Sequence, residues 1–179
     1  MITDYEQFLA SKVRSAEAFG IAVPEADISP VLFPFQRAIV RWACARGRAA
    51  IFADCGMGKT LMQLEWARLM GQRILIVAPL SVAQQTVREA AKLDLEVRYV
   101  KEDGDPSGIR ITNYERVLAF DPAVVDAVIL DESSILKNSA GVTRKRLISH
   151  FGAVPYRLAC TATPSPNHHE ELTNHAEFL

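Results

Sequence analysis

The chain has 179 residues, is 49% hydrophobic with a mean hydropathy of +0.07, and carries a formal net charge of −1. That is enough apolar material for one domain with a real core, and too little positive charge for a protein that coats nucleic acid, so any nucleic-acid contact must be confined to one face. Cys44, Cys55 and Cys160 are odd in number and lack metal-ligand spacing, no apolar run approaches membrane-spanning length, and the Asp4 and Glu6 start is unlike a signal peptide; these features argue for a reduced, cytoplasmic protein without membrane association.

Taken in chain order, Tyr5, Phe8, Leu9, Val13 and Phe19 predict a helix over Met1 to Gly20, and Ile21 to Pro34 reads as extended chain broken by Pro24, Pro30 and Pro34. Residues 1–31 are therefore read as a lead-in and 32–179 as the domain proper. An amphipathic helix follows, with Phe35, Ile39, Val40 and Trp42 apolar and Arg37, Arg41 and Arg46 polar. A short apolar strand from Ala50 then runs into a glycine-containing turn, and Leu61 to Met70 forms the next helix. Further on, strands are predicted at Arg73 to Ala78, Glu96 to Val100, Ile109 to Thr112, Ala127 to Leu130 and Tyr156 to Cys160. Between them lie helices at Ser81 to Lys92 (with Ser81 as cap), Tyr114 to Phe120 and Ala140 to Phe151, a polar turn over Lys101 to Gly108, and a final helix at Asn167 to Leu179. Strands that are apolar throughout and alternate with helices imply an α/β, three-layer fold around a mainly parallel sheet. Trp42 and Trp66, at helical spacing among apolar residues, are expected to pack in the core rather than to stack on bases.

Chemistry enters at Asp54-Cys55-Gly56-Met57-Gly58-Lys59-Thr60. Gly56 and Gly58 allow backbone N–H groups, including that of Met57, to converge on an anion where a side chain would block the approach. Lys59 can reach outer phosphates, and the Thr60 hydroxyl can coordinate Mg²⁺. The loop departs from G-x-x-x-x-G-K-[ST] at its first position, where Ala53 stands in place of glycine. The second site is Val128-Ile129-Leu130-Asp131-Glu132, an apolar strand that delivers two carboxylates at its C-terminal end, where open α/β sheets bind ligands. Asp131 is suited to hold Mg²⁺, and Glu132 to polarise the water that attacks a γ-phosphate.

The order of these motifs resembles the first RecA-like lobe of superfamily 2 helicases and translocases, most closely the Swi/Snf-type branch, from about Leu32 to Asn167. Leu32-Phe33-Pro34-Phe35-Gln36 resembles the segment in which a glutamine reads adenine, which implies that role for Gln36. Asp54 to Thr60 resembles motif I and implies ATP. Leu75 to Ser81, with Pro79, Ser81 and Gln84, looks like motif Ia, and Ile111 to Glu115, with Thr112 and Asn113, like motif Ib; both contact nucleic acid in the family. Asp131-Glu132-Ser133-Ser134-Ile135-Leu136-Lys137-Asn138 is similar to the Asp-Glu-Ala-His-Arg-Leu-Lys-Asn form of motif II. Thr161-Ala162-Thr163-Pro164 looks like motif III, which couples the nucleotide site to the strand track. The resemblance implies an ATP- and Mg²⁺-dependent helicase or translocase lobe acting on DNA, duplex DNA by preference, without sequence-specific base reading. The Ser-Ser form of motif II looks like that of phage or prophage members.

Two departures stand out. Ser133 and Ser134 replace the Ala-His of motif II, removing a histidine that would touch motif III. The family's second RecA-like lobe, with its arginine finger, is also not among these residues, so the chain alone is expected to have little activity. Lys137, Arg144, Lys145 and Arg146 add positive charge after motif II and read either as nucleic-acid contacts or as a solvated helix face. His168, His169 and Glu170, with His175 later, are expected to form a solvated helix start rather than a metal cluster. Two other functions share a phosphate loop: a phosphotransferase, which would want an arginine-rich lid, and a non-enzymatic nucleotide-binding module, which would tolerate loss of Glu132.

Overall fold

Six strands form one parallel sheet in the computed structural model, which describes residues 18–134, 141–165 and 171–179. They are β1 (Arg48–Phe52), β2 (Arg73–Ala78), β3 (Val97–Tyr99), β4 (Gly108–Asn113), β5 (Ala127–Asp131) and β6 (Tyr156–Thr161), arranged in the order β1-β6-β5-β2-β4-β3. The helices are α1 (Pro34–Arg46), α2 (Lys59–Met70), α3 (Leu80–Ala90), α4 (Gly141–Phe151) and α5 (Glu171–Phe178). The alternation of strand and helix read from the sequence is therefore present as a three-layer α/β fold.

Side chains alternate across each strand, so one apolar run feeds two cores. Ile74, Ile76, Ile129 and Cys160 point to the face covered by α1, α2 and α3, where Val40, Met62 and Trp66 complete the cluster. Leu75, Val77, Val128 and Leu130 point to the other face, closed by Phe120, Leu147, Phe151 and Phe178. Helix α2 is buried at every residue from Met62 to Ala67, wedged between α1 and the sheet. No described helix is long and apolar enough to cross a membrane.

The connection from β3 to β4 is unusual. Adjacent parallel strands normally need about a dozen or more residues to cross over, mostly as a helix, but here residues 100–107 return without one. Two arginines hold this short acidic segment down. Arg110, fully buried on β4, donates to Asp103 at 3.1 Å, and Arg98 on β3 bonds Asp105 and the Ser107 carbonyl. Asp103 also accepts from the Asp121 N–H at 2.9 Å, which fixes the segment that leads into β5.

Several elements differ from expectation for identifiable reasons. The proposed helix over 1–20 lies mostly outside the described residues; its last part, Phe19 to Ile21, runs beside the end of α1 through bonds to the Arg46, Ala45 and Cys44 carbonyls. The lead-in holds one turn of 3₁₀ helix (Glu25–Asp27), and it is not peripheral: Val23, Ile28 and Leu32 enter the core, and Glu65 on α2 accepts the Ser29 N–H at 2.7 Å. Ser81 is not the cap of α3. The helix begins at Leu80 after Pro79, which leaves Ser81 inside the first turn. Tyr114 to Phe120 is a turn with a short 3₁₀ segment (Val117–Ala119) rather than a helix. Trp66 packs in the core as expected, whereas Trp42 lies half-exposed on the outer side of α1, because the buried stripe of that helix is Gln36, Val40, Ala43 and Cys44.

Truncating Trp66 to alanine removes the largest fully buried side chain between α2 and the sheet. Urea unfolding of the Trp66→Ala variant is expected to show a loss of about 3–5 kcal/mol, and Trp42→Ala a loss below about 1 kcal/mol.

Candidate functional site

Three neighbouring strands, β1, β6 and β5, end at one edge of the sheet, and each releases a polar segment there. The helix after β1 covers one face, and the helices after β5 and β6 cover the other. A crevice forms where connections part in this way, and open α/β sheets bind ligands in such crevices.

The segment after β1 is residues 53–58. Gly56 and Gly58 both have positive φ, +81° and +77°, which an L side chain rarely adopts. At Gly58 a Cβ would also lie 2.3 Å from the Gln36 amide nitrogen, so both conformation and space require glycine. The Met57 N–H bonds the Asp54 carbonyl at 3.3 Å, and the loop opens directly into α2 at Lys59. Loop N–H groups and the positive end of a helix dipole are thus brought close together, as anion binding requires. The Lys59 ammonium lies across the loop and donates to the carbonyls of Ala53 at 2.8 Å and Asp54 at 3.3 Å. Thr60 sits in the first turn of the same helix.

Gln36 is buried and ties the loop to α1. Its Oε1 accepts the Phe33 N–H at 2.9 Å, and its Nε2 donates to the Met57 carbonyl at 3.0 Å. The residue singled out for adenine is therefore in contact with the phosphate loop itself.

From β5, Asp131 is buried and Glu132 follows with φ +50°, in the left-handed region. The Asp131 Oδ2 accepts from Gln63 Nε2 at 3.1 Å, and its Oδ1 accepts the Glu132 N–H at 3.0 Å. Burial raises the pKa of Asp131; the Gln63 bond opposes that rise and the neighbouring Glu132 charge adds to it. The Tyr114 hydroxyl donates to the Asp131 carbonyl at 2.7 Å, and burial pushes that phenol well above its ordinary value. From β6, Thr161 reaches Glu132 Oε2 at 3.5 Å and accepts the Thr163 N–H at 3.1 Å. Ala162 lies between them, partly covered.

The fit to a divalent cation can be judged from these donors. A buried carboxylate whose side-chain hydrogen-bond partner among the described residues is one neutral amide is costly as a charge. A hard cation with oxygen ligands is the chemistry that relieves it, with Asp131 and the Thr60 hydroxyl as the oxygen donors.

Other expected residues fall in different places. Pro79 precedes α3, and Ser81 and Gln84 are exposed on its first turns at the end of β2. Thr112 and Asn113 are buried at the end of β4, and the Asn113 carboxamide turns back to the Arg116 N–H at 3.1 Å. Lys145 and Arg146 are exposed on α4 beside His150, while Lys137, His168, His169 and Glu170 lie outside the described residues. His175 is not solvated as expected; it is buried against the site. No group of three or more metal-ligating side chains occurs among the described residues. Sequence reasoning overlooked Gln63 and the Tyr114 hydroxyl. Gln63 stands three residues after Thr60 on α2, one helical turn on the same face, and that spacing was its only signal.

No protein-family profile matches the chain. It is 32% identical over 155 residues to the ATP-dependent helicase brm of Drosophila melanogaster, a match that takes in 72% of this chain and 9% of that protein. Its fold superposes on the Sulfolobus solfataricus SWI2/SNF2 ATPase core in complex with dsDNA with a TM-score of 0.70 at 23% identity, covering 92% of this chain and 37% of that one. It also superposes on the UvsW helicase from Bacteriophage T4 with a TM-score of 0.66 at 12% identity, over 97% of this chain and 65% of that one. The chain thus spans less than a tenth of the fly protein.

The raised pKa of Asp131 has a sign that can be checked. Between the ordinary carboxylate value of 3.8 and the higher folded value, the native state holds the proton more tightly than the unfolded chain, so stability falls as pH rises through that window. Asp131→Asn keeps the volume without the charge: its Oδ1 can accept the Glu132 N–H, and its Nδ2 can donate to the Gln63 Oε1 once that amide turns over. In Mg²⁺-free buffer at pH 8 it is expected to melt about 2–4 °C above wild type, and the gap should close as the pH approaches 4. A lower melting temperature at pH 8 would show that the buried charge is not penalised.

Proposed function

We infer that this chain is the first RecA-like, ATP-binding lobe of a superfamily 2 helicase or translocase of the Swi/Snf type, a motor that couples ATP hydrolysis to movement on DNA. One observation carries the reading: the phosphate loop, the Asp131-Glu132 pair and Thr161 leave three adjacent strands at one sheet edge. The sequence likeness to an ATP-dependent helicase and the fold likeness to two motor cores support it.

In this reading the phosphates of ATP sit against the N–H groups of Gly56, Met57 and Gly58, and the Lys59 ammonium moves from the Ala53 and Asp54 carbonyls to the outer phosphates. Mg²⁺ would be held by Thr60 and Asp131, with Gln63 orienting the carboxylate, and would supply charge neutralisation during phosphoryl transfer. Glu132 is the base that orients and polarises the attacking water. Its bond to Thr161 lets motif III register the state of that carboxylate. Gln36 would read adenine by exchanging its Met57 bond for one to the base, so recognition of the base and release of the loop become one event.

DNA would lie along the same edge, at the exposed Ser81 and Gln84 and at the N–H groups near Pro79. Because Thr112 and Asn113 are buried, phosphate contacts there would fall to the backbone rather than to their side chains. Lys145 and Arg146 are exposed and available as further cations, and Lys137 keeps its proposed role from the resemblance. Duplex DNA is the favoured partner, as in the complex that the Sulfolobus core forms with dsDNA. A second RecA-like lobe would complete the cleft with its arginine, and without it this lobe should turn over slowly.

Steady-state phosphate release, with and without duplex DNA, tests the reading in the intact protein. DNA should stimulate turnover, and release without any phosphoryl acceptor separates hydrolysis from phosphotransfer. Glu132→Gln is expected to keep ATP binding and lose turnover by about 10²-fold or more, while this chain by itself should lack the 10³- to 10⁵-fold or so that an arginine finger contributes. Wild-type turnover in Glu132→Gln would make the carboxylate pair a mere strand end.

A further inference from the structure

Motif II here carries serine where its relatives' Asp-Glu-Ala-His pattern has alanine, and the structure puts a histidine against that serine from a different part of the chain. Ser133 is fully buried, and its Oγ shares a 3.3 Å hydrogen bond with Nδ1 of His175 on α5. The His175 ring is itself buried and stands edge-on to Phe52, with centroids 5.2 Å apart at 67°. Phe52 is the last residue of β1, immediately ahead of the phosphate loop. One imidazole therefore touches the ends of both strands that deliver the site.

We propose that His175 is a positioning residue for Glu132, acting through the Ser133 hydroxyl; this rests on the ATPase reading above. Glu132 is held in a left-handed conformation that costs a non-glycine residue about 1 kcal/mol or more, so its neighbours must fix it. On the upstream side, the Tyr114 hydroxyl and the Asp131 carboxylate do so. On the downstream side, Ser133 is anchored by its N–H to the Cys160 carbonyl at 2.9 Å and by its hydroxyl to His175. Without the second anchor the Ser133 side chain is a buried hydroxyl lacking this partner, and the turn that aims Glu132 loses one of its restraints. Helix α5 follows Thr161–Pro164 in the chain and is docked by Phe178 in the core and by Arg157, which donates to the Leu179 carbonyl. Displacement of α5 would therefore reach the catalytic carboxylate through the His175–Ser133 hydrogen bond.

Kinetics of ATP hydrolysis by the intact protein test this, with Ser133→Ala, His175→Leu, His175→Asn and the double variant Ser133→Ala/His175→Leu. Ser133→Ala and His175→Leu should each lower kcat about five- to tenfold, with KM for ATP within about twofold of wild type. The double variant should be no worse than either single change, because the two residues act as a unit. His175→Asn, whose amide places a polar atom near the position of Nδ1, should recover most of the rate and serves if His175→Leu fails to fold. Wild-type kcat in variants that merely melt at lower temperature, or losses that multiply in the double variant, would overturn the proposal. Absence of ATP turnover in the wild-type protein would overturn the ATPase reading, and this one with it.

Discussion

Two successive carbonyls at the end of β6 hold both halves of the site in place. The Thr161 carbonyl accepts the Ala53 N–H at 3.3 Å, and the Cys160 carbonyl accepts the Ser133 N–H at 2.9 Å. Consecutive carbonyls of a strand point to opposite sides, so β6 grips the segment leaving β1 with one and the segment leaving β5 with the next. The phosphate loop and the carboxylates are thereby separated by two strand spacings, about 10 Å. The sheet's register is what converts two sequence motifs far apart in the chain into one site.

That arrangement concentrates features that work against stability. Asp131 is a buried carboxylate, Glu132 a left-handed non-glycine residue, and Gly58 a backbone that admits no side chain. The surrounding apolar sheet carries them: β2 and β5 are almost entirely buried, and both cores close over them. A site that binds charge well when occupied is expected to be the strained part of its fold. Gln36 joins these contacts, since one buried amide caps α1 and braces Met57.

The fold was legible because its strands are apolar throughout and its helices periodic; β2 matches its reading from Arg73 to Ala78 to the residue. The strand, glycine turn and helix over residues 48–70 were legible from two glycines and a Lys-Thr pair, and the place of the carboxylates from the end of an apolar strand. What escaped was tertiary. Trp42 reads as a core residue by periodicity, yet the stripe that faces the sheet is set by Val40, Ala43 and Cys44. Lys101 to Gly108 read as a turn, and nothing local says that two arginines would clamp it down where a crossover helix is usual. His175 reads as a surface histidine because its partner, Ser133, lies 42 positions earlier. Thr112 reads as the end of its strand, but the strand runs on to Asn113 and buries both residues.

The central claim is that residues 53–60 form a phosphate-binding loop with Lys59 as its mobile cation. Calorimetric titration of the chain with Mg·ATP, set beside the Lys59→Ala variant, measures it most directly. Among the described residues Lys59 bonds loop carbonyls and takes no part in either core, so the variant should keep the wild-type melting temperature within a few degrees. Its affinity for Mg·ATP should fall by about tenfold or more, the scale of one charge-assisted contact to phosphate. Equal affinity in the two proteins would contradict the account, because the loop would then be a glycine turn ahead of an ordinary helix.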